Sequence, residues 1–126
     1  QGVVFNSHYL AYFDVAMTEL WRAAFGSYGA MLERGIDMVV VEAQLSFHAP
    51  GRFDDLLTLE VAIERLGNTS VATSHTISRD PETVVTGTLH HVIVDRTTLQ
   101  KVAIPDWIRR GLEPWSVDDG ARSAQP

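Results

Sequence analysis

Between Asn6 and Gly26 the apolar residues Leu10, Phe13, Met17, Leu20, Trp21 and Ala24 recur at steps of three and four. That spacing draws one broad apolar stripe down a single helix of about five turns. Asn6 or Ser7 supplies a polar cap for its start and Gly26 a stop for its end. Beyond Gly26 the apolar period changes to two. One long amphipathic helix followed by several alternating strands has few ways to bury its stripe, so the class is read as α+β, with an antiparallel sheet curled around the helix.

The strands are read from that alternation. Residues 27–34 allow a short helical turn, after which Val39, Val41, Ala43, Leu45 and Phe47 alternate with Val40, Glu42, Gln44, Ser46 and His48. This predicts a strand with one buried face and one mostly polar face. Pro50 and Gly51 break it. Leu57, Leu59, Val61 and Ile63 then alternate with Thr58, Glu60, Ala62 and Glu64 until Gly67 and Asn68 turn the chain. Residues 69–78 and 83–95 predict two more strands around the turn Arg79-Asp80-Pro81-Glu82, and residues 101–104 a short edge strand. Pro105 opens a short helix over residues 107–110. Residues 116–126 are polar and rich in small side chains, and read as a flexible tail to a domain spanning residues 1–115.

A length of 126 residues suits one domain with its own core, and 45% hydrophobic against 21% charged residues is a globular balance. No apolar run approaches the length of a membrane span. The net charge of −6 argues against nucleic-acid binding, which draws its affinity from clustered cations. A small polyanion needs only a few, and Arg65, Arg79, Arg96, Lys101, Arg109 and Arg110 are available. Without cysteine there is no disulfide, thiolate metal site or thiol nucleophile, which is compatible with a cytoplasmic location. His8, His48, His75, His90 and His91 show neither metal-ligand spacing nor a partner serine on a nucleophile elbow. They read as surface or interface residues; no metal and no cofactor is expected.

The chemistry points to the start of the long helix. In the block from Gly2 to Asp14 a glycine turn leads into a polar cap and then an aromatic-rich helix. Backbone N–H groups there lack partners within the helix and the macrodipole adds positive character, so the place can hold a carbonyl oxygen that gains negative charge. Acyl transfer needs such a place.

Gly2, Val4, Asn6, Tyr9, Leu10, Phe13 and Asp14 also follow a G-x-V-x-N/H-x-x-Y-L-x-x-F-E/D run. The block thereby resembles the opening motif of the 4-hydroxybenzoyl-CoA thioesterase-like branch of the hot-dog superfamily. Gly67-Asn68-Thr69-Ser70, Val94-Asp95 and Ile104-Pro105 extend the resemblance over roughly residues 1 to 112. It implies a hot-dog fold, a homodimer or homotetramer with active sites between subunits, and an acyl-CoA substrate. It also implies an acidic general base or nucleophile in a D-x-x-G arrangement. Only Gln1 precedes Gly2 here, so that acid is expected two positions before Gln1, the first residue reading as a truncation or disordered boundary.

The expected reaction centre comprises Gly2, Phe5, Asn6 and Tyr9. Asn6 orients water or the thioester carbonyl on this reading, and on the plainer one only caps the helix. Asp14, about 12 Å along the axis from Asn6, suits a supporting role better than direct catalysis. By the resemblance, Arg65, Gly67, Asn68, Thr69 and Ser70 bind the pantetheine or phosphates of CoA, an ordinary hairpin turn being the alternative; His48, where the polar strand face meets the Pro50-Gly51 turn, is a further candidate substrate contact, with a surface or interface histidine as its alternative. The leading expectation is an acyl-CoA thioesterase. Its rivals are a hot-dog protein that binds acyl-CoA without hydrolysing it, and a small interaction domain without a CoA site.

Overall fold

In the computed structural model, which describes residues 6–49, 56–79 and 81–117, the long helix α1 runs Asn6–Phe25. Asn6 is its first helical residue. Gly26 ends it at φ +90, its N–H donating to the Arg22 carbonyl at 2.9 Å, a conformation that costs a residue with a Cβ dearly. Ser27 then caps the short helix α2, Tyr28–Glu33, accepting from the Ala30 N–H at 3.0 Å.

Four strands follow: β1 (Ile36–Phe47), β2 (Thr58–Leu66), β3 (Ser70–Arg79) and β4 (Glu82–Asp95). They form one antiparallel sheet in the order β1-β4-β3-β2. The chain closes with α3 (Asp106–Leu112) and a single 3-10 turn, Glu113–Trp115.

Apart from Leu10, which is 44% exposed, the stripe on α1 packs against the sheet in two clusters. Met17, Leu20 and Trp21 pack with Ile63, Val71, Ile93, Ile108 and Leu112 toward its C-terminal end. Tyr9 and Phe13 pack with Ile77, Val84, Val85 and Leu89 toward its start. Gly87 makes the second cluster possible. A Cβ there would stand 2.7 and 2.9 Å from two carbons of the Phe13 ring, so only glycine lets the ring lie on the strand.

Three sequence expectations need correction. The first concerns β1, whose expected buried face included Val39 and Val41. These are 41% and 61% exposed, and Val40 and Phe47 are 54% and 49% exposed. Among the described residues β1 is an edge strand, paired with β4 alone, and the register shifts between Val40 and Glu42. That bulge inserts one residue and reverses the alternation. Met38 and Val40 therefore turn toward α1 before it, and Ala43, Leu45 and Phe47 after it.

Second, residues 101–104 form no strand: Lys101 makes an isolated bridge with Val94 and Val102 donates to the Ile93 carbonyl. Third, Ser116 and Val117 do not start a loose tail. Ser116 bridges Ile63 in parallel and the Val117 N–H donates to the Ile63 carbonyl at 2.9 Å, covering part of the outer edge of β2.

Candidate functional site

A cleft of about 540 Å³ lies between α1 and the β1–β4 side of the sheet. Leu10, Asp14, Met17, Thr18 and Trp21 form the helix wall, and Met38, Val40, Ala43, Leu89 and His91 the sheet wall. The helix residues are spaced i, i+4, i+7, i+8 and i+11, so the cleft follows one helix face for about 16 Å. It begins one turn beyond Asn6. Its walls are mainly apolar; Asp14 is solvent-exposed at the mouth, and the Thr18 hydroxyl is spent on the Asp14 carbonyl at 2.9 Å.

On the same helix-facing side of the sheet lies a buried polar cluster that the sequence reading missed. Thr73, His75 and His91 are 0%, 2% and 1% exposed. The Thr73 hydroxyl meets His75 Nε2 at 2.8 Å and His91 Nε2 at 3.0 Å, so one side chain joins both rings. The Nδ1 atoms of both histidines are buried and have no hydrogen-bond partner among the described residues. His75 also stacks on Phe13, with ring centroids 4.6 Å apart. Burial pushes both imidazoles down to about 4, and charge repulsion adds to this, from His91 on His75 and from His90 on His91. Both rings are therefore neutral at physiological pH. The default reading of His75 and His91 as surface or interface residues is corrected: both are buried within a single chain. Continuing the alternation through Val71, Thr73, His75 and Ile77, and through Leu89, His91 and Ile93, would have placed both inside.

The residues expected at the reaction centre are only partly described. Gly2 and Phe5 lie outside the described residues, as do the side chains of Asn6 and His8. Tyr9 is 2% exposed, edge-on to Tyr12 at 6.2 Å and tilted against Phe47 at 5.6 Å.

The expected CoA contacts sit elsewhere. The Gly67 N–H donates to the Ser70 carbonyl at 2.8 Å, and the carbonyls of Gly67, Asn68 and Thr69 accept from Arg109, Ile104 and Ile93. These bonds tie the turn to the Trp21 end of α1, whereas Tyr9 packs at the other end. Arg65 is exposed beside a second bulge, between Ile63 and Arg65. Within one chain, then, the Gly67–Ser70 turn and the helix start are separated by much of the length of α1, about 28 Å over its 20 residues. His48 is at the Tyr9 end, but its Nε2 meets the Thr86 hydroxyl at 2.9 Å on the sheet face turned away from α1.

Comparison with known proteins settles the family. Residues 1–86 match the family described as the thioesterase superfamily. The chain belongs to that superfamily. It is 28% identical over 105 residues to the acyl-CoA thioester hydrolase YbgC of Escherichia coli O6:H1, covering 82% of this chain and 78% of YbgC. Among solved structures it resembles a hypothetical protein of Aquifex aeolicus, with a TM-score of 0.84 and 25% identity over 90% of this chain and 88% of that one. A hypothetical protein of Thermus thermophilus gives 0.82 and 26%, over 90% and 87%. The thioesterase-superfamily chain therefore has the hot-dog fold, with α1 as its long helix. No described helix is long and apolar enough to cross a membrane. Among the described residues no cluster of three or more His, Asp or Glu side chains is placed to hold a metal ion.

Proposed function

We propose that the protein is an acyl-CoA thioesterase, hydrolysing a CoA thioester to a free acid and CoA. The observation that carries the reading is the largely apolar cleft that begins one helical turn from the start of α1. A carbonyl held at the helix start leaves its acyl group lying along that cleft, and YbgC, acyl-CoA thioester hydrolase by name, supports the substrate class.

The chemistry follows from the helix end. Backbone N–H groups around Gly2, Phe5 and Asn6 polarise the thioester carbonyl, while Tyr9 and the Asn6 amide bound the reacting group. An acidic residue two positions before Gln1 takes a proton from water as the oxygen attacks the carbonyl carbon. Negative charge collects on the carbonyl oxygen, the C–S bond breaks, and the CoA thiolate leaves and is protonated. The same acid attacking directly would give an anhydride that water then opens.

A second copy of the chain completes the site in this reading. Among the described residues the outer edge of β1 has no strand beside it, and it carries exposed Val39, Val40 and Val41, an apolar strand edge of the kind that pairs with another strand. Pairing there brings a partner against the cleft, and lets the partner's Arg65 and its turn residues 67–70 reach a CoA that they cannot reach within one chain.

Thiol release from aryl-, short- and medium-chain acyl-CoAs tests the activity. Replacing the upstream acid by its amide is expected to lower kcat by about a hundredfold with KM little changed. Absence of turnover on every acyl-CoA, with no calorimetric binding of CoA, would refute the reading.

A further inference from the structure

We propose that the first half of α1 is an acid-releasable segment: it is held on the sheet through the Thr73–His75–His91 cluster, and charging the two imidazoles undocks it while the second half stays in place. The undocking rests on packing and sequence. Its consequence, loss of a reaction centre at the helix start, rests on the thioesterase reading as well.

The two halves of α1 hold their helical form for different reasons. Ala16, Met17, Leu20, Arg22, Ala23 and Ala24 are strong helix formers, and Arg22 pairs with Glu19 one turn away. Asn6, Ser7, His8, Tyr9, Tyr12 and Phe13 are weaker ones, and no acidic residue stands in the first turn to favour the macrodipole. A segment of that kind stays helical through what it packs on. Tyr9 and Phe13 make that contact, in a cluster separate from the one that seats Met17, Leu20 and Trp21.

Phe13 links this half to the histidines. Its ring lies over Gly87 and stacks on His75, which are register partners on β4 and β3. Both histidines stand on the two central strands, so lifting the helix layer lets water reach them without parting ladders on either side. The register partners are Val61 and Gly87 for His75, and Val40 and Val71 for His91. None carries a charge that would hold an imidazolium. Protonation puts a hydrogen on each Nδ1, which is buried with no partner among the described residues.

On α1 the charged groups are Asp14, exposed across the cleft from His91, and the Glu19–Arg22 pair toward the far end; His8, Tyr9 and Tyr12 also titrate there. His90 stands 3.9 Å from Glu42. The burial that holds His75 and His91 down to about 4 is lost on undocking, so the undocked form gains as pH falls through 6.5.

Amide hydrogen exchange resolves the two halves in the full chain, without substrate. At about pH 8 the N–H groups of residues 10–15 are expected to exchange faster than those of residues 20–25. They should respond little to low urea, the mark of an opening smaller than global unfolding. At about pH 5 their protection, corrected for intrinsic exchange, should fall about thirtyfold for each imidazole that the opening frees. The double variant His75→Gln, His91→Gln, in which His8 and Asp14 are unchanged, should lose that pH dependence.

Exchange of both halves as one unit, with the same rates and urea response, overturns the inference without any variant. So does an opening of residues 10–15 that ignores pH, because the imidazoles then stay buried, or acid-enhanced exchange confined to residues 38–44 around the bulge in β1. A pH dependence that survives in the folded double variant assigns the release to His8 or Asp14 and overturns it as well.

Discussion

Acid should loosen this fold well before its carboxylates are generally protonated, because His75 and His91 are buried neutral. Each has an unfolded value near 6.5 and a folded value of about 4. Between those values the unfolded chain binds more protons than the folded one, so stability rises with pH through the window. Their neutral burial costs nothing well above 6.5; stability is lost as pH falls through 6.5 and the loss is complete below about 4. At about pH 5 the linkage amounts to about 2 kcal/mol per imidazole relative to about pH 8, hence about 4 kcal/mol for independent sites. That is a large share of the ~5–15 kcal/mol that holds a domain together.

Other groups near the pair are His90, adjacent on β4 and 3.9 Å from Glu42, and Asp14 across the cleft from His91. Urea unfolding at fixed protomer concentration, followed by the fluorescence of buried Trp21, measures the loss at about pH 8, 6 and 5. The double variant His75→Gln, His91→Gln keeps polar groups for Thr73 but does not titrate, and should be nearly flat over the same range whatever its stability at about pH 8. A parental protein equally stable at about pH 5 and 8, or a double variant with the parental slope, would refute the assignment of the loss to these imidazoles.

Two further outcomes follow from packing. Gly87→Val places side-chain atoms where the Phe13 ring lies, with the Gln44 carbonyl also 3.0 Å from the new Cβ; a loss of about 1–3 kcal/mol is expected in thermal or urea unfolding, partly relieved by Phe13→Leu. Val41→Lys puts a charge at the bulge on the open edge of β1, where it is already 61% exposed. It should leave the folded monomer's stability within about 0.5 kcal/mol and, if the proposed pairing of two β1 edges holds, shift light-scattering mass from dimer toward monomer.

Much of the architecture was legible in the sequence because it is written in local periodicity. The stripe from Phe13 to Ala24, the stop at Gly26, the turn at Gly67 and the change from β3 to β4 between Arg79 and Glu82 each depend on neighbours a few residues apart, and each appears in the structure near its expected place. The motif from Gly2 to Asp14 carried the family in the same way, through residue types at fixed spacing. What tertiary structure alone decided depends on pairing across the sheet. The bulge after Val40 inverts the faces of β1, and alternation cannot register one inserted residue. Thr73 meets His91, 18 residues further along the chain, because β3 and β4 pair Val71 with His91, a juxtaposition that only strand register creates. Histidine is compatible with surface and core alike by type, so the residues themselves did not disclose the buried cluster. Its existence comes from a threonine hydroxyl placed by the sheet between two rings, and its neutrality from the water that the fold excludes.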